Sequence, residues 1–377
     1  MNNDPVKKIG ILGSSGSIGR QTLDVIRKHK DMFSVELLAC KGNASLLAEQ
    51  IAEFKPKTAV CARPVHYSGE TNIYNDLSAL ADPSLYEGCD IVINGIGGMD
   101  GLIPTLAILD SPAELATANK ESIVSAGKLI TQTAKKRGKN IIPVDSEHSA
   151  VYQCLEEKDN ILRLILTASG GAFRDYPKER LAAAKAKDAL NHPTWIMGDK
   201  VTIDSATLFN KCMEIIEAKN LFGINDVGVV IHRQSIVHAL VEFKDGSLKA
   251  SLSHPDMRLP IQYALTGGKR LSSGINTLDF AKLGALTFEE PDLDRFPCLG
   301  IAEKISSDYK GCVACAADEI LVKLYMKDMI GFYDIPELIE KALLRFGDGE
   351  ITSAGQALGI NKEVKEYTLE CSRKTGR

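Results

Sequence analysis

Three carboxylates, a lysine and several short polar side chains fall into four clusters along the chain. Asp145-Ser146-Glu147 directly follows the apolar run Ile141–Val144, which reads as a β-strand. In extended backbone, residues two apart face the same way, so Asp145 and Glu147 can converge on one cation. Taken alone, two acids beside a strand can equally be solvated surface groups. The second cluster spans Asp204 to Glu214, where Ser205 suits the N-cap of a helix running to about Asn220. Asn210 and Lys211 then lie four and three residues before Glu214 on a shared face, offering an amide and a cation beside a carboxylate. A surface Lys–Glu pair is the plain alternative. In the third, Thr167-Ala168-Ser169-Gly170-Gly171 reads as a strand entering a turn whose amides and hydroxyl suit an anion, or as an ordinary turn. The fourth, from His192 to Gly198, sets the single tryptophan, Trp195, beside a histidine and Met197 between proline and glycine. That loop reads as a mobile lid or as a loop anchored by its tryptophan. Together the clusters match the needs of a metal-chelated, phosphorylated polyol or ketose. Oxygen-only ligands point to a hard divalent ion, Mg2+ or Mn2+, rather than zinc.

A fifth cluster concerns a cofactor. The strand Val6–Leu12 runs into Gly13-Ser14-Ser15-Gly16-Ser17-Ile18-Gly19, followed by an amphipathic helix. Glycines let the backbone approach a pyrophosphate, and the helix N-terminus presents free N–H groups and the positive end of its dipole. The spacing is G-x-x-G-x-x-G, so the strand before it and the helix after it carry the argument for dinucleotide binding. At the end of the next strand an acid would hold the ribose 2′-hydroxyl of NAD. The chain instead reads Ala39-Cys40-Lys41-Gly42-Asn43-Ala44-Ser45, with a lysine and no acid, which favours the extra phosphate of NADP.

These residues need elements to carry them. Short β-rich runs (Ile9–Leu12, Val35–Cys40, Thr58–Ala62, Ile91–Asn94, Glu114–Ala118, Ile141–Val144) alternate with helical patterns (Ile18–Lys30, Ser45–Phe54, Leu102–Leu109, Glu121–Arg137), which predicts a doubly wound parallel sheet. Strands at Arg163–Ala168, Val227–Arg233, Val237–Phe243 and Ser247–Ser253 predict a mixed or antiparallel α+β region. Residues 284–297 read as a linker, and Leu299–Ser307, Ala314–Lys327, Pro336–Phe346 and Asn361–Arg373 as a helical bundle. The expected class is therefore α/β: a Rossmann-like domain over 1–145, a catalytic domain over 146–283 and a helical domain over 298–377. At 377 residues the chain exceeds one ordinary core. A formal charge of -4 with 44% hydrophobic residues predicts no nucleic-acid or membrane partner. No signal core or long apolar run is present, so a cytoplasmic location is expected. The nine scattered cysteines read as reduced, and Cys312-Val313-Ala314-Cys315 as packing in a helix rather than a redox or zinc motif.

With these strings in hand, the sequence resembles the 1-deoxy-D-xylulose 5-phosphate reductoisomerase family. The resemblance runs through Gly13–Gly19, Ala118-Asn119-Lys120-Glu121-Ser122, Pro143–Ser149, Ser169–Phe173, His192–Gly198, Asp204–Glu214 and His254-Pro255-Asp256-Met257-Arg258, in the family's order. It implies rearrangement of 1-deoxy-D-xylulose 5-phosphate and reduction by NADPH to 2-C-methyl-D-erythritol 4-phosphate in the non-mevalonate isoprenoid pathway. It further implies that Asp145, Glu147 and Glu214 hold Mg2+ or Mn2+, with Co2+ as an alternative. Ser169, Ser205, Asn210, Lys211 and His192 match positions that bind the substrate phosphate, and Lys120 and Ser146 groups beside the reacting oxygens. Trp195 and Met197 would cover the substrate. Gly13, Ser14, Ser15, Gly16, Ser17, Ile18, Lys41, Gly42, Asn43, Asn119, Glu121 and Gly198 match cofactor positions, and family members are homodimers. The carbon rearrangement by retro-aldol cleavage and recombination, or by a direct α-ketol shift, is left open by the sequence. Two departures stand out: Ser15 replaces a frequent threonine, and Lys41 sits one place earlier relative to Asn43 than the family's basic residue, with Gly42 in its place. The competing readings are a dehydrogenase with a nucleophilic cysteine and a phosphosugar sensor without turnover.

Overall fold

The computed structural model describes residues 5–156, 158–190, 195 and 197–375. In chain order the elements are β1 (Lys7–Leu12), α1 (Ser17–Lys28), β2 (Phe33–Cys40), α2 (Ala44–Phe54), β3 (Thr58–Cys61), β4 (Asn72–Tyr74), β5 (Ile91–Asn94), α3 (Leu102–Asp110), β6 (Glu114–Thr117), α4 (Lys120–Lys136), β7 (Ile141–Pro143) and α5 (Ser146–Cys154). There follow β8 (Ile161–Ala168), α6 (Lys178–Leu181), α7 (Ala186–Ala189), α8 (Asp199–Thr207), α9 (Phe209–Phe222), β9 (Val227–Ile231), β10 (Val237–Phe243), β11 (Leu248–Leu252), α10 (Arg258–Thr266) and α11 (Phe280–Leu283). A 3-10 helix over Pro297–Lys304 precedes α12 (Asp308–Met326), α13 (Asp334–Arg345) and α14 (Ala354–Thr375). The chain forms two compact units: residues 1–122, 130–149 and 256–275, and residues 123–129, 150–255 and 276–377.

The first unit is built on a seven-stranded sheet of order β4-β3-β2-β1-β5-β6-β7, parallel at every pairing. Its central strands are nearly continuous apolar runs because helices cover both faces. Ile9, Ile11, Leu38, Ile91 and Ile93 join Leu23 and Ile26 of α1 and Leu47 and Ile51 of α2 in one core. The strand order reverses between β1 and β5, and in open α/β sheets ligands settle in the crevice at the carboxyl ends of the strands beside such a reversal. Strand β4 escapes a reading by periodicity: it is three residues long, at the sheet edge, and half exposed. Helix α10 also belongs here, because Ile261, Ala264 and Leu265 complete the same core.

The second unit contains a four-stranded sheet of order β11-β10-β8-β9, with β8 and β9 parallel and the other pairs antiparallel. Val151, Leu164, Leu166, Ala218, Phe222, Ala239 and Val241 fill the space between the sheet, α9 and the end of α5. The expected Lys244-Asp245-Gly246 turn is present, with Gly246 at φ +84 and Asp245 accepting from the Ser247 amide at 2.9 Å. Residues 284–297 are tied to the sheet: Ile231 and Glu289 exchange backbone hydrogen bonds of 2.8 and 2.9 Å. The stretch expected as a helix at Leu299–Ser307 is the 3-10 helix Pro297–Lys304, followed by Ser307 capping α12 through the Lys310 amide.

Candidate active site

In the first unit, Gly13 leaves β1 with φ +80, and a Cβ there would lie 2.7 Å from the Gly95 carbonyl oxygen. Gly19 is equally constrained: its Cβ would meet the Gly13 oxygen and Ser14 Cα at 2.4 Å. The first turn of α1 is therefore pressed onto the loop. Gly16, the residue before that turn, offers no side-chain cap, so the terminal N–H groups stay available to an anion. The Ser14 hydroxyl is buried and has no hydrogen-bond partner among the described residues, a donor suited to a bound oxygen. The loop is held from the side by β2, whose Ala39 carbonyl accepts from the Gly13 and Ser14 amides, each at 2.8 Å. Lys41, Gly42 and Asn43 follow β2; Asn43 caps α2 through the Leu46 amide at 3.2 Å, and Lys41 pairs with Asp100 at 2.7 Å.

Asn119 organises the opposite rim. Its side-chain oxygen caps α4 through the Ser122 amide at 3.2 Å, while its amide nitrogen donates to the Gly98 carbonyl at 2.8 Å and to Glu121 at 3.3 Å. Lys120, the first residue of α4, forms an ion pair with Asp145, and both side chains are largely buried. Ser146 donates to Glu147. The expectation that Asp145 and Glu147 lie in extended backbone is corrected here. Helix α5 begins at Ser146, so Glu147 sits in its first turn, where the positive helix end favours a carboxylate. A strand of three residues gives way to helix immediately, so period-two alternation does not extend past Val144.

In the second unit, the expectation that Ser205 caps a helix is also corrected. Ser205 lies inside α8, and the break falls at Leu208, at φ 64, after which α9 starts at Phe209. A β-branched or bulky residue in the left-handed region has no sequence signal, which is why the two helices read as one. Of the phosphate-binding candidates, Ser169 and Ser205 nevertheless lie on adjoining segments. Ser169 accepts from the Gly171 amide at 3.2 Å, and a Cβ on Gly171, at φ +69, would lie 2.4 Å from the Ser205 carbonyl oxygen. The turn after β8 thus packs directly on the last turn of α8. On α9, Asn210 and Lys211 each donate to one oxygen of Glu214, and Glu214 is 1% exposed. The pairing expected from their spacing is present, and it is buried rather than a surface pair.

Two features escaped the sequence reading. His238 of β10 lies with its ring 6.2 Å from that of Trp195 and its Nε2 2.9 Å from the Ser253 hydroxyl. Burial pushes its pKa down to about 4, with a further push from Lys211, so it is a neutral ring in the polar cluster. A histidine within an apolar strand was the available signal. The second is the ion triad in which Lys200 bridges the buried Asp204 and Asp318 at 2.5 and 2.6 Å, joining α8 to α12. Met197 is half-buried and Gly198 precedes α8, its carbonyl accepting from the Thr202 amide at 3.0 Å; His192 lies outside the described residues.

The donor set fits a hard divalent ion. Asp145, Glu147 and Glu214 provide carboxylate oxygens only, and Asp145 and Glu214 each stand against a lysine, as charges so far from water require. A nucleophilic-cysteine dehydrogenase fits poorly. All nine cysteines are buried and none is in a disulfide, and burial pushes the Cys40 thiol up to about 11 and those of Cys89 and Cys312 up to about 12. No helix among the described residues is long and apolar enough to cross a membrane.

Comparison with known proteins extends over most of the sequence. Residues 9–127 match the family described as 1-deoxy-D-xylulose 5-phosphate reductoisomerase, 141–222 its C-terminal domain, and 252–367 a domain described as DXP reductoisomerase C-terminal domain. A 1-deoxy-D-xylulose 5-phosphate reductoisomerase from Crocosphaera subtropica is 42% identical over 389 residues, covering 98% of this chain and 98% of the relative. One from Synechocystis sp. is 43% identical over 360 residues, covering 89% and 90%. Among solved structures, a DOX-P reductoisomerase in complex with NADPH, fosmidomycin and magnesium superposes with a TM-score of 0.90 at 36% identity, covering 99% of this chain and 100% of that one. The Zymomonas mobilis enzyme in complex with NADPH also gives 0.90, at 35% identity, covering 98% and 99%.

Proposed function

The chain belongs to the 1-deoxy-D-xylulose 5-phosphate reductoisomerase family, and on that premise we propose that it converts 1-deoxy-D-xylulose 5-phosphate and NADPH, with a proton, to 2-C-methyl-D-erythritol 4-phosphate and NADP+. The conversion isomerises a linear ketose phosphate to a branched aldehyde and reduces that aldehyde. The observation that carries the reading is Glu214, a carboxylate sealed between Asn210 and Lys211 in a chain that matches the family over residues 9–127, 141–222 and 252–367.

The chain's own residues divide the work. The Gly13–Gly19 loop and the α1 N-terminus hold the pyrophosphate of NADPH, the hydride donor, with Asn119 and Glu121 on the other rim and Gly198 as a further contact. Ser169, Ser205, Asn210, Lys211 and His192 hold the substrate phosphate, and amides in the Ser169-Gly170-Gly171 turn add donors. Asp145, Glu147 and Glu214 hold Mg2+ or Mn2+, which polarises the carbonyl and the neighbouring hydroxyl of the ketose. Lys120 pairs with Asp145 and stands beside the reacting oxygens with Ser146. Trp195 and Met197 cover the substrate and exclude water before the hydride moves. The same reading makes the protein a cytoplasmic homodimer.

The test follows NADPH consumption by purified protein with 1-deoxy-D-xylulose 5-phosphate. Turnover is expected with Mg2+ or Mn2+, abolished by chelation and restored by the metal, while NADPH binding persists throughout. Glu214→Gln is expected to lower kcat roughly 10²–10³-fold with NADPH affinity nearly unchanged. No metal-dependent oxidation would overturn the reading, and an equal loss of cofactor affinity in the variant would show that Glu214 serves a different site.

A further inference from the structure

We propose that Arg63, at the end of β3, is the residue that reads the adenosine 2′-phosphate of NADPH, replacing the basic side chain that position 42 lacks. The proposal rests on the reductoisomerase reading for the cofactor and goes beyond it in assigning the group that separates NADPH from NADH.

Strands β2 and β3 are parallel neighbours in register at Cys40 and Cys61, so the residues following each strand emerge side by side. The Ala62 amide extends that pairing with a 3.3 Å hydrogen bond to the Lys41 carbonyl, which fixes residue 63 beside residue 42. Position 42 is glycine, and a Cβ built there would meet Arg63 alone: its Nε at 3.6 Å and the guanidinium carbon at 4.0 Å. The guanidinium therefore fills the space that a side chain at position 42 would enter. Because Ala39 of β2 accepts from both Gly13 and Ser14, a pyrophosphate on that loop sets the adenosine ribose over the end of β2.

Two cations stand near that ribose position, and they differ in what already holds them. The Lys41 ammonium is 2.7 Å from Asp100, whose charge offsets its attraction for a phosphate. Arg63 is exposed and has no ion-pair or hydrogen-bond partner among the described residues. A guanidinium also presents two parallel N–H groups to one phosphate, a match that an ammonium cannot make. Asn43, the remaining polar side chain, has its oxygen occupied by the α2 cap.

The experiment measures NADPH and NADH dissociation constants by nicotinamide fluorescence on the full chain, without turnover. Arg63→Ala is expected to weaken NADPH about ten- to a hundredfold and to leave NADH within about twofold, since one charge-assisted phosphate contact is lost. Adding Gly42→Lys to that variant is expected to restore part of the NADPH affinity. Unchanged NADPH affinity in Arg63→Ala overturns the assignment, as does an equal loss for both cofactors, which would make Arg63 a support of the loop. If the unaltered protein binds no NADPH, the reductoisomerase reading fails and the assignment falls with it.

Discussion

His238 shows how a single buried base can link the polar cluster of the second unit to pH. Its ring is 7% exposed, with Trp195 on one side and the Ser253 hydroxyl at 2.9 Å, and Lys211 and His232 add positive charge nearby. Each of burial, Lys211 and His232 disfavours the imidazolium, while Ser253 opposes them, and the result is a pKa of about 4 against 6.5 for an ordinary histidine. A base whose folded pKa is depressed binds a proton less readily folded than unfolded, so folding opposes protonation. Its contribution is fully favourable above pH 6.5, weakens as pH falls through that value, and is lost by about pH 4. The expected loss across that window is roughly 2–3 kcal/mol. It is measurable as a steeper fall of Tm with acid in the native protein than in His238→Gln, which keeps a polar partner for Ser253 but cannot titrate. Parallel Tm profiles would show that His238 is not the group responsible.

At the scale of elements, the turn after β8 and the end of α8 act as one piece. Gly171 carries φ +69 and leaves no room for a Cβ, which would stand 2.4 Å from the Ser205 carbonyl oxygen and 2.8 Å from Ala206 Cα. Gly171→Ala therefore imposes both an unfavourable left-handed conformation, of order 1 kcal/mol, and a displacement of backbone from backbone. The expected outcome is a KM for the sugar phosphate raised about tenfold or more with NADPH affinity unchanged, read by steady-state kinetics beside cofactor titration; equal KM values would separate this turn from the phosphate site. The same region marks the limit of what the sequence reveals. Strands β1, β2 and β5 were legible because their apolar runs are bounded by turn residues, and the Asn210–Lys211–Glu214 group because helical spacing alone brings it together. Ser205 as a helix cap was misread because the break at Leu208 has no glycine or proline to announce it, and Asp145 with Glu147 in extended backbone because a strand of only three residues gives way to α5 at Ser146, with Asp145 in the position before the helix. The close approach of Gly171 to α8 and of Arg63 to Gly42 joins residues distant in sequence, which no local pattern encodes.

At the scale of the whole molecule, the folding units do not follow the order of the chain. The first unit takes 1–122 and 130–149, then recovers 256–275 after more than a hundred residues that belong to the second. What the late segment brings is core: Ile261, Ala264 and Leu265 of α10 are 0–1% exposed and pack with Leu23, Val25 and Ile26 of α1. Lys7 and Lys28 add hydrogen bonds to the Leu265 and Ser273 carbonyls at 3.1 and 2.6 Å, fastening the segment at its middle and near its C-terminal end. Burying Ile261 and Leu265 alone is worth roughly 3–6 kcal/mol, a large share of the net stability of a domain of this size. A fragment of residues 1–149 should thus expose the apolar face of α1 and aggregate or melt at low temperature, although it contains the entire seven-stranded sheet. Joining 256–275 to it through a flexible linker should raise Tm by ten degrees or so and recover NADPH binding, since the glycine loop that opens α1 is only as rigid as the helix behind it. Equal melting of the two fragments would show that α10 is an appendage to the cofactor unit rather than part of its core.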